Sequence, residues 1–195
     1  MTVQRRLSAA LSIFAGILAG SVSFPAQATD ELWLRLKSEP DMVVLMRHAH
    51  ASGGNALAWD PSGACKGELV LSARGKAHAK RIGARFAAHG IRPTVVSSPM
   101  CRCLQTAEIA FGGAQIVDPD LRQVADAHSG QLRAHNAKAQ AILARNRGAT
   151  PIVIVSHRPN IDQLTMELLD DGELLVGTIT ETGEVEVEGK IVIEP

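Results

Sequence analysis

Three apolar segments of this chain have the length and the β-branched content of buried strands: residues 42–46, 94–96 and 152–155. Each precedes at least one basic or imidazole side chain, and these are Arg47, His48, Arg102 and His157. The carboxyl ends of neighbouring parallel strands meet at one edge of a sheet, where ligands bind. If the three strands are neighbours, two guanidinium groups and two imidazoles converge there. Since the planar fork of arginine matches phosphate oxygens, this pocket is suited to a phosphate group.

Helical patterns alternate with the apolar segments along the chain. Ser72 is the predicted N-cap of a helix that runs to about residue 89, and Ser98-Pro99 is predicted to start another. Two further helices are predicted over residues 131–147 and 161–169, followed by a hairpin over residues 174–188. Helices that alternate with apolar strands predict an α/β fold, here a three-layer αβα sandwich with a mostly parallel central sheet. Three helical histidines are expected to face solvent: His78, His89 and His135.

The first 28 residues have the pattern of an export signal. Arg5 and Arg6 precede an apolar stretch, and Ala26-Gln27-Ala28 forms a small-x-small cleavage site. We therefore expect a mature domain of residues 29–195, without a stable membrane anchor, in the periplasm of a bacterium or otherwise outside the cell. Cleavage changes the formal charge from 0 to −2, which argues against nucleic acid as a partner.

Four motifs, in the order in which they occur, resemble those of the histidine phosphatase superfamily, whose fold is phosphoglycerate mutase-like. They are residues 45–49 (Leu-Met-Arg-His-Ala), 71–75 (Leu-Ser-Ala-Arg-Gly), 97–107 and 155–157. The resemblance extends from about residue 42 to residue 165. It implies a covalent phosphohistidine on His48, phosphate binding by Arg47 and Arg102, and a second pocket histidine at His157. It implies neither a metal nor a cofactor.

His50 offers an alternative interpretation, because a His-x-His pair after a first strand also begins metal-dependent amidohydrolases. That class requires a barrel of roughly 250 residues. The expected mature chain has 167 residues and no second pair of ligands at metal-binding spacing. The metallohydrolase interpretation is therefore not favoured.

A general acid must protonate the leaving oxygen when the leaving group is poor. A short third strand is predicted over residues 115–117. The resemblance places a glutamate a short way after it in a Leu-x-Glu pattern, but this chain has Leu121-Arg122-Gln123. The nearest acids are Asp120 and Asp126. We predict Asp126 as the acid; the alternative is that no acid exists and only good leaving groups depart. Asn55, in the long loop after the first strand, is a further candidate for substrate binding.

Three cysteines follow the predicted cleavage site, in a compartment where disulfides persist. Cys101 and Cys103 are too close in sequence for an easy bridge, so Cys65 is expected to pair with one of them. Exported members of the resembled family carry cysteines at positions that favour Cys65 with Cys101.

The sequence therefore predicts an exported phosphomonoester phosphatase with a phosphohistidine intermediate. Its expected partner is a phosphorylated small molecule or a phosphorylated surface component. A mutase is disfavoured, because free sugar phosphates belong to the cytoplasm. The remaining alternative is a phosphoanion-binding or interaction module with the same fold and pocket but only weak catalytic activity.

Overall fold

The computed structural model describes residues 26–125 and 130–195. The helices within these ranges are α1 (Ala26–Ser38), α2 (Ala73–Ala88), α3 (Cys101–Phe111), α4 (Gly130–Arg145) and α5 (Arg158–Thr165). The strands are β1 (Met42–Arg47), β2 (Ala51–Ser52), β3 (Val70–Leu71), β4 (Thr94–Ser97), β5 (Ile116–Val117), β6 (Ile152–Ser156), β7 (Leu174–Ile179) and β8 (Val185–Ile191). The predicted alternation of helices and strands is present.

The main sheet has the strand order β5-β4-β6-β1-β7-β8. The first four of these strands are parallel, while β7 pairs antiparallel with β1 and forms the predicted hairpin with β8. Strand β6 lies between β4 and β1, and Val155 is in register with both Ser97 and Met46. The three strands that precede the candidate site residues are therefore adjacent and end at the same edge.

Helices cover both faces of this sheet. Alternate residues of β1 belong to two separate apolar clusters, with Val44 and Met46 in one and Val43 and Leu45 in the other. The first cluster contains side chains of α1, α2 and α3, and the second contains side chains of α4 and α5. The predicted three-layer sandwich is confirmed, and its parallel strands are buried on both faces.

The start of α2 lies against the backbone that follows β1. Ser72 caps this helix, as predicted, and its hydroxyl accepts a hydrogen bond from the Gly75 backbone at 3.2 Å. A Cβ atom at Gly75 would lie 2.0 Å from the His50 carbonyl oxygen. Only glycine allows this close approach, so Gly75 places the amino end of α2 beside the candidate site.

Two of the three histidines expected to face solvent are buried instead. His78 lies on the buried face of α2 and donates through Nε2 to the Ile193 carbonyl at 2.6 Å. His135 lies on the buried face of α4. The prediction for these two was wrong because a histidine at a core-facing helical position is retained when a polar partner is nearby.

The amino end of α3 also differs from expectation. The helix starts at Cys101, with Met100 at the N-cap and no side-chain cap. Ser98, which was expected to start the helix, has its hydroxyl in the candidate site instead. Arg102 nevertheless lies in the first turn, as predicted.

The predicted export signal lies almost entirely outside the described residues. Within residues 26–125 and 130–195, no helix has both the length and the apolar character needed to cross a bilayer.

Candidate active site

His48 lies just past β1 and is held in one tautomer. The Nε–H of Arg102 donates to His48 Nε2 at 3.0 Å, so that nitrogen carries a lone pair. The proton is then on Nδ1, which donates to the Ala49 carbonyl at 2.9 Å. Burial lowers the pKa of His48 from 6.5 to about 3, and the charges of Arg102 and Arg47 act in the same direction. His48 is therefore a neutral imidazole whose Nε2 lone pair faces Arg102.

Arg102 is fully buried and lies between the two site histidines. Its Nη2 lies 2.8–3.0 Å from three acceptors, the Ala56 carbonyl, Gln123 Oε1 and His157 Nδ1, which share its two N–H groups. Its Nη1 is buried and has no hydrogen-bond partner within the described residues. An unsatisfied buried donor on a cation is costly, by about 1–3 kcal/mol or more. This donor is suited to an anionic oxygen from a ligand.

His157 follows β6 and is also fully buried. Because Nδ1 accepts from Arg102, the ring proton is on Nε2, which donates to the Ser98 hydroxyl at 2.8 Å. Burial and the adjacent Arg102 hold the pKa of His157 well below its usual range. Its ring centroid is 5.6 Å from that of His48. Two neutral imidazoles and one guanidinium thus form a compact cluster.

Cys103 lies on the buried side of this cluster. Its Sγ is 3.8 Å from His157 Nδ1 and 3.7 Å from Nε2. Burial raises the pKa of this thiol to about 12, so it is a neutral packing group rather than a nucleophile.

The guanidinium of Arg47 is held by the segment that follows α5. Its Nη2 is 2.7 Å from Asp171 Oδ1, and its Nη1 donates to the Leu169 carbonyl at 3.0 Å. Its Nε is buried and has no hydrogen-bond partner in the described part of the chain. A cavity of about 330 Å³ adjoins this side chain, with His50 and Asp171 also in its wall. The charge of Arg47 is thus largely balanced, while the hydrogen-bond partners of the Arg102 guanidinium among the described residues are neutral groups.

A disulfide attaches the loop after β1 to the start of α3. Cys65 and Cys101 are bonded, with 5.8 Å between their Cα atoms. The buried carboxylate of Glu68 makes a second connection, accepting from the Cys101 backbone at 2.8 Å and from the Asp60 backbone at 2.7 Å. The Cys101 N–H at the start of α3 is therefore already bonded to a carboxylate of the protein itself.

The structure places the remaining candidates as follows. The side chain of Asn55 is exposed and accepts from the Leu57 backbone at 2.8 Å, so it stabilises its own turn. His50 hydrogen-bonds to the Ser72 hydroxyl through Nδ1 at 2.8 Å. Asp126 lies outside the described residues. Among those described, no three histidine, cysteine or acidic side chains are grouped as a metal site requires.

Sequence reasoning missed several residues of the site. Ser98 was expected to start a helix, whereas its hydroxyl contacts His157. Gln123 was noted because it stands where the resemblance places an acid, and its contact with Arg102 was not predicted. Asp171 is 124 positions from Arg47, and no local pattern connects the two. The sequence signal for Asp171 was its position in an Asp-Asp-Gly turn directly after a predicted helix.

The fold is that of a phosphoglycerate mutase-like α/β protein. Residues 43–126 match the model of the histidine phosphatase superfamily (branch 1), a range that includes both Arg47-His48 and Arg102. Over these 84 of its 195 residues the chain is similar to this superfamily. No curated protein matches the sequence significantly.

Solved structures of several phosphatases share the fold of this chain at low sequence identity. The protein histidine phosphatase SixA complexed with tungstate is 17% identical, with a TM-score of 0.54 over 77% of this chain and 96% of that one. A phosphoserine phosphatase from Entamoeba histolytica, in complex with 3-phosphoglyceric acid, is 14% identical, with a TM-score of 0.56 over 78% and 98%. The alpha-ribazole phosphatase from Shigella flexneri is 16% identical, with a TM-score of 0.54 over 79% and 100%.

Proposed function

We propose that this chain is a phosphatase that transfers a phosphoryl group to Nε2 of His48 and then to water. One observation carries the proposal: Nε2 of a neutral, buried His48 is 3.0 Å from Nε of Arg102. A nucleophilic nitrogen and a fixed cation in contact are what attack on a phosphate requires. The match of residues 43–126 to the histidine phosphatase superfamily supports the same chemistry.

Substrate phosphate binds to donors that the protein itself leaves unpaired. Arg102 Nη1 and Arg47 Nε are the two such buried nitrogens at this edge of the sheet, within the described residues. Phosphate oxygens that accept from these groups also compete for the N–H that Arg102 directs at His48. Binding of substrate therefore releases the His48 lone pair for attack.

The reaction proceeds in two displacements. In the first, the bond from His48 Nε2 to phosphorus forms while the bond from phosphorus to the leaving oxygen breaks. In the second, water attacks phosphorus, the phosphorus–nitrogen bond breaks, and inorganic phosphate leaves. Negative charge on the equatorial oxygens is stabilised throughout by the guanidinium groups. The Ala49 carbonyl keeps the proton on Nδ1 and orients the ring.

The leaving oxygen needs a proton when it departs as an alkoxide. Gln123 cannot supply one, and its Oε1 is occupied by Arg102 Nη2 at 2.8 Å. We propose Asp126 as the donor, since it lies three residues after Gln123 on the same segment. The substrate is a phosphorylated small molecule or surface component; the similar structures that bind or act on phosphoglycerate, phosphoserine and ribazole phosphate support the first.

Export is part of the proposal. The disulfide between Cys65 and Cys101 supports it, since such bonds persist in oxidising compartments. With the amino-terminal pattern of residues 1–28, this favours action in the periplasm of a bacterium or otherwise outside the cell.

A phosphoanion-binding module is the second candidate. Gln123 stands where an acid is usual and bonds directly to Arg102, which favours retention of an anion without turnover. Such a module binds phosphate or vanadate but hydrolyses no ester.

A panel of alkyl and aryl phosphomonoesters separates the two candidates. We expect the mature protein to release inorganic phosphate and the His48→Ala variant to release none above background. His89→Ala, which changes a histidine stacked on Trp33 away from the site, is the matched control and should retain full activity. Anion binding without hydrolysis of any ester would favour the module.

A further inference from the structure

The segment between α5 and β7, residues 169–173, holds the side chain of Arg47 at two points. The carboxylate of Asp171 is 2.7 Å from Nη2, and the Leu169 carbonyl accepts from Nη1 at 3.0 Å. Two acceptors on different nitrogens fix the plane of a guanidinium as well as its position. A long arginine side chain otherwise has considerable rotamer freedom.

The same segment also holds the backbone of the Arg47-His48 pair. The Gly172 N–H donates to the His48 carbonyl at 3.2 Å, and the Arg47 N–H donates to the Glu173 carbonyl at 3.3 Å. The pair is thus fixed by the segment through main chain and side chain together. Two of these contacts, from Asp171 and from the Leu169 carbonyl, are made to the guanidinium. Of the two, the contact from Asp171 is made by a side chain, so a substitution can remove it.

We propose that Asp171 is a positioning residue for the phosphatase reaction. It holds the fork of Arg47 so that Nε, which is buried and without a partner in the described residues, remains directed to the substrate phosphate. The inference rests on the proposed function, because it assigns Asp171 a role at the same phosphate site. Asp171 itself acts through Arg47 and does not touch the substrate.

Electrostatics and positioning predict opposite effects of a change at Asp171. Its carboxylate is a negative charge near an anion site, so its removal favours phosphate binding if only Coulomb interactions matter. If its role is to hold Arg47, removal weakens binding instead. The side chains of Asp171 and Arg47 are 29% and 21% exposed. Because partly exposed ion pairs contribute little to stability, the Asp171→Asn variant is expected to fold.

Asp170 provides a matched control. It is the adjacent residue, its side chain is exposed, and Asp170→Asn makes the same change in charge. We expect Asp171→Asn to raise the Kd for vanadate at least fivefold and to lower kcat/KM for an aryl phosphate. Asp170→Asn should change each less than twofold. Asp171→Ser provides a second test should the asparagine variant not fold.

A double-mutant cycle tests whether Asp171 acts through Arg47. In an Arg47→Ala background, Asp171→Asn should have no further effect on vanadate binding or on kcat/KM. The inference is overturned if Asp171→Asn binds vanadate as tightly as the unmodified protein or more tightly. It is also overturned if Asp171→Asn weakens vanadate binding equally in the unmodified and Arg47→Ala backgrounds. Failure of the unmodified protein to hydrolyse any ester overturns the proposed function, and this inference with it. The two failures are distinguishable, because only the second concerns the unmodified protein.

Discussion

Nε of Arg102 lies 3.0 Å from Nε2 of His48, so the anion-binding cation and the nucleophile of the proposed reaction are in direct contact. The same guanidinium contacts His157 Nδ1 through Nη2. Both imidazoles accept from it, and both are therefore neutral with their second nitrogen protonated. One buried arginine thus sets the tautomer of two histidines from different strands.

Replacement of Arg102 by alanine should weaken vanadate binding by about 2–5 kcal/mol, because a charged hydrogen-bonding partner of the ligand is lost. Arg102→Lys keeps the charge without the planar fork and should give an intermediate Kd. Arg85→Ala, at an exposed arginine of α2, serves as the control. Titration of folded variants with vanadate measures the effect; equal affinities for Arg102→Ala and Arg85→Ala would remove Arg102 from the site.

Loss of the disulfide between Cys65 and Cys101 should lower the free energy of unfolding. The bonded residues are 36 positions apart, and the chain-entropy model gives about 3–4 kcal/mol for a loop of this length. Urea unfolding of the Cys65→Ala, Cys101→Ala double variant checks this. Because both bonded cysteines are replaced, the remaining Cys103 has no partner within the chain for a replacement disulfide. An unchanged unfolding midpoint would show that the bridge adds no stability.

The depressed pKa of His48 predicts a dependence of stability on pH. Its pKa is about 3 in the folded protein and about 6.5 in an unfolded chain. As the pH falls from about 6.5 towards 3, the unfolded chain binds a proton that the folded protein excludes. The free energy of unfolding therefore decreases over this window, and the contribution of His48 is complete above pH 6.5.

Comparison with His48→Asn separates the contribution of His48 to this pH dependence from the contributions of the other buried histidines. Urea unfolding at pH 7.5 and pH 5.0 should show a larger loss of stability in the unmodified protein than in the variant. Parallel losses would mean that His48 is not held neutral.

The proposed acid is tested by the dependence on leaving group. Asp126→Asn should slow hydrolysis of an alkyl phosphate strongly and leave an aryl phosphate nearly unchanged, because an aryl oxide departs without a proton. Asp120→Asn is the control, since Asp120 is close in sequence and lies near Lys138 in the structure, at 3.4 Å. Unchanged rates on both esters would reject Asp126.

Local pattern was sufficient to predict the layers of the fold and to place four residues at one edge of the sheet: Arg47, His48, Arg102 and His157. The apolar runs before His48 and His157 identify strands by themselves, and parallel strands must end at one edge. Ser72 and Gly90 mark the ends of α2 through capping preferences that act over a few residues. These features are encoded within single segments, so they are visible without a structure.

What the sequence did not reveal depends on contacts between distant segments. The burial of His78 is decided by a carbonyl of residue 193, which accepts its proton. The ion pair of Arg47 with Asp171 and the bond of Gln123 to Arg102 arise only when α3, the loop after β5 and the segment after α5 meet at the sheet edge. Side-chain type alone does not specify which of many polar groups will be partners.

The most direct test of the account is to trap the phosphorylated enzyme. The mature protein is mixed with a phosphate ester labelled in its phosphoryl group, quenched within milliseconds in alkali, and digested for mass analysis. The account predicts an acid-labile phosphoryl group on the peptide that contains His48 and none in the His48→Ala variant. Turnover of the ester with no label on His48, or label that persists undiminished in His48→Ala, would contradict it.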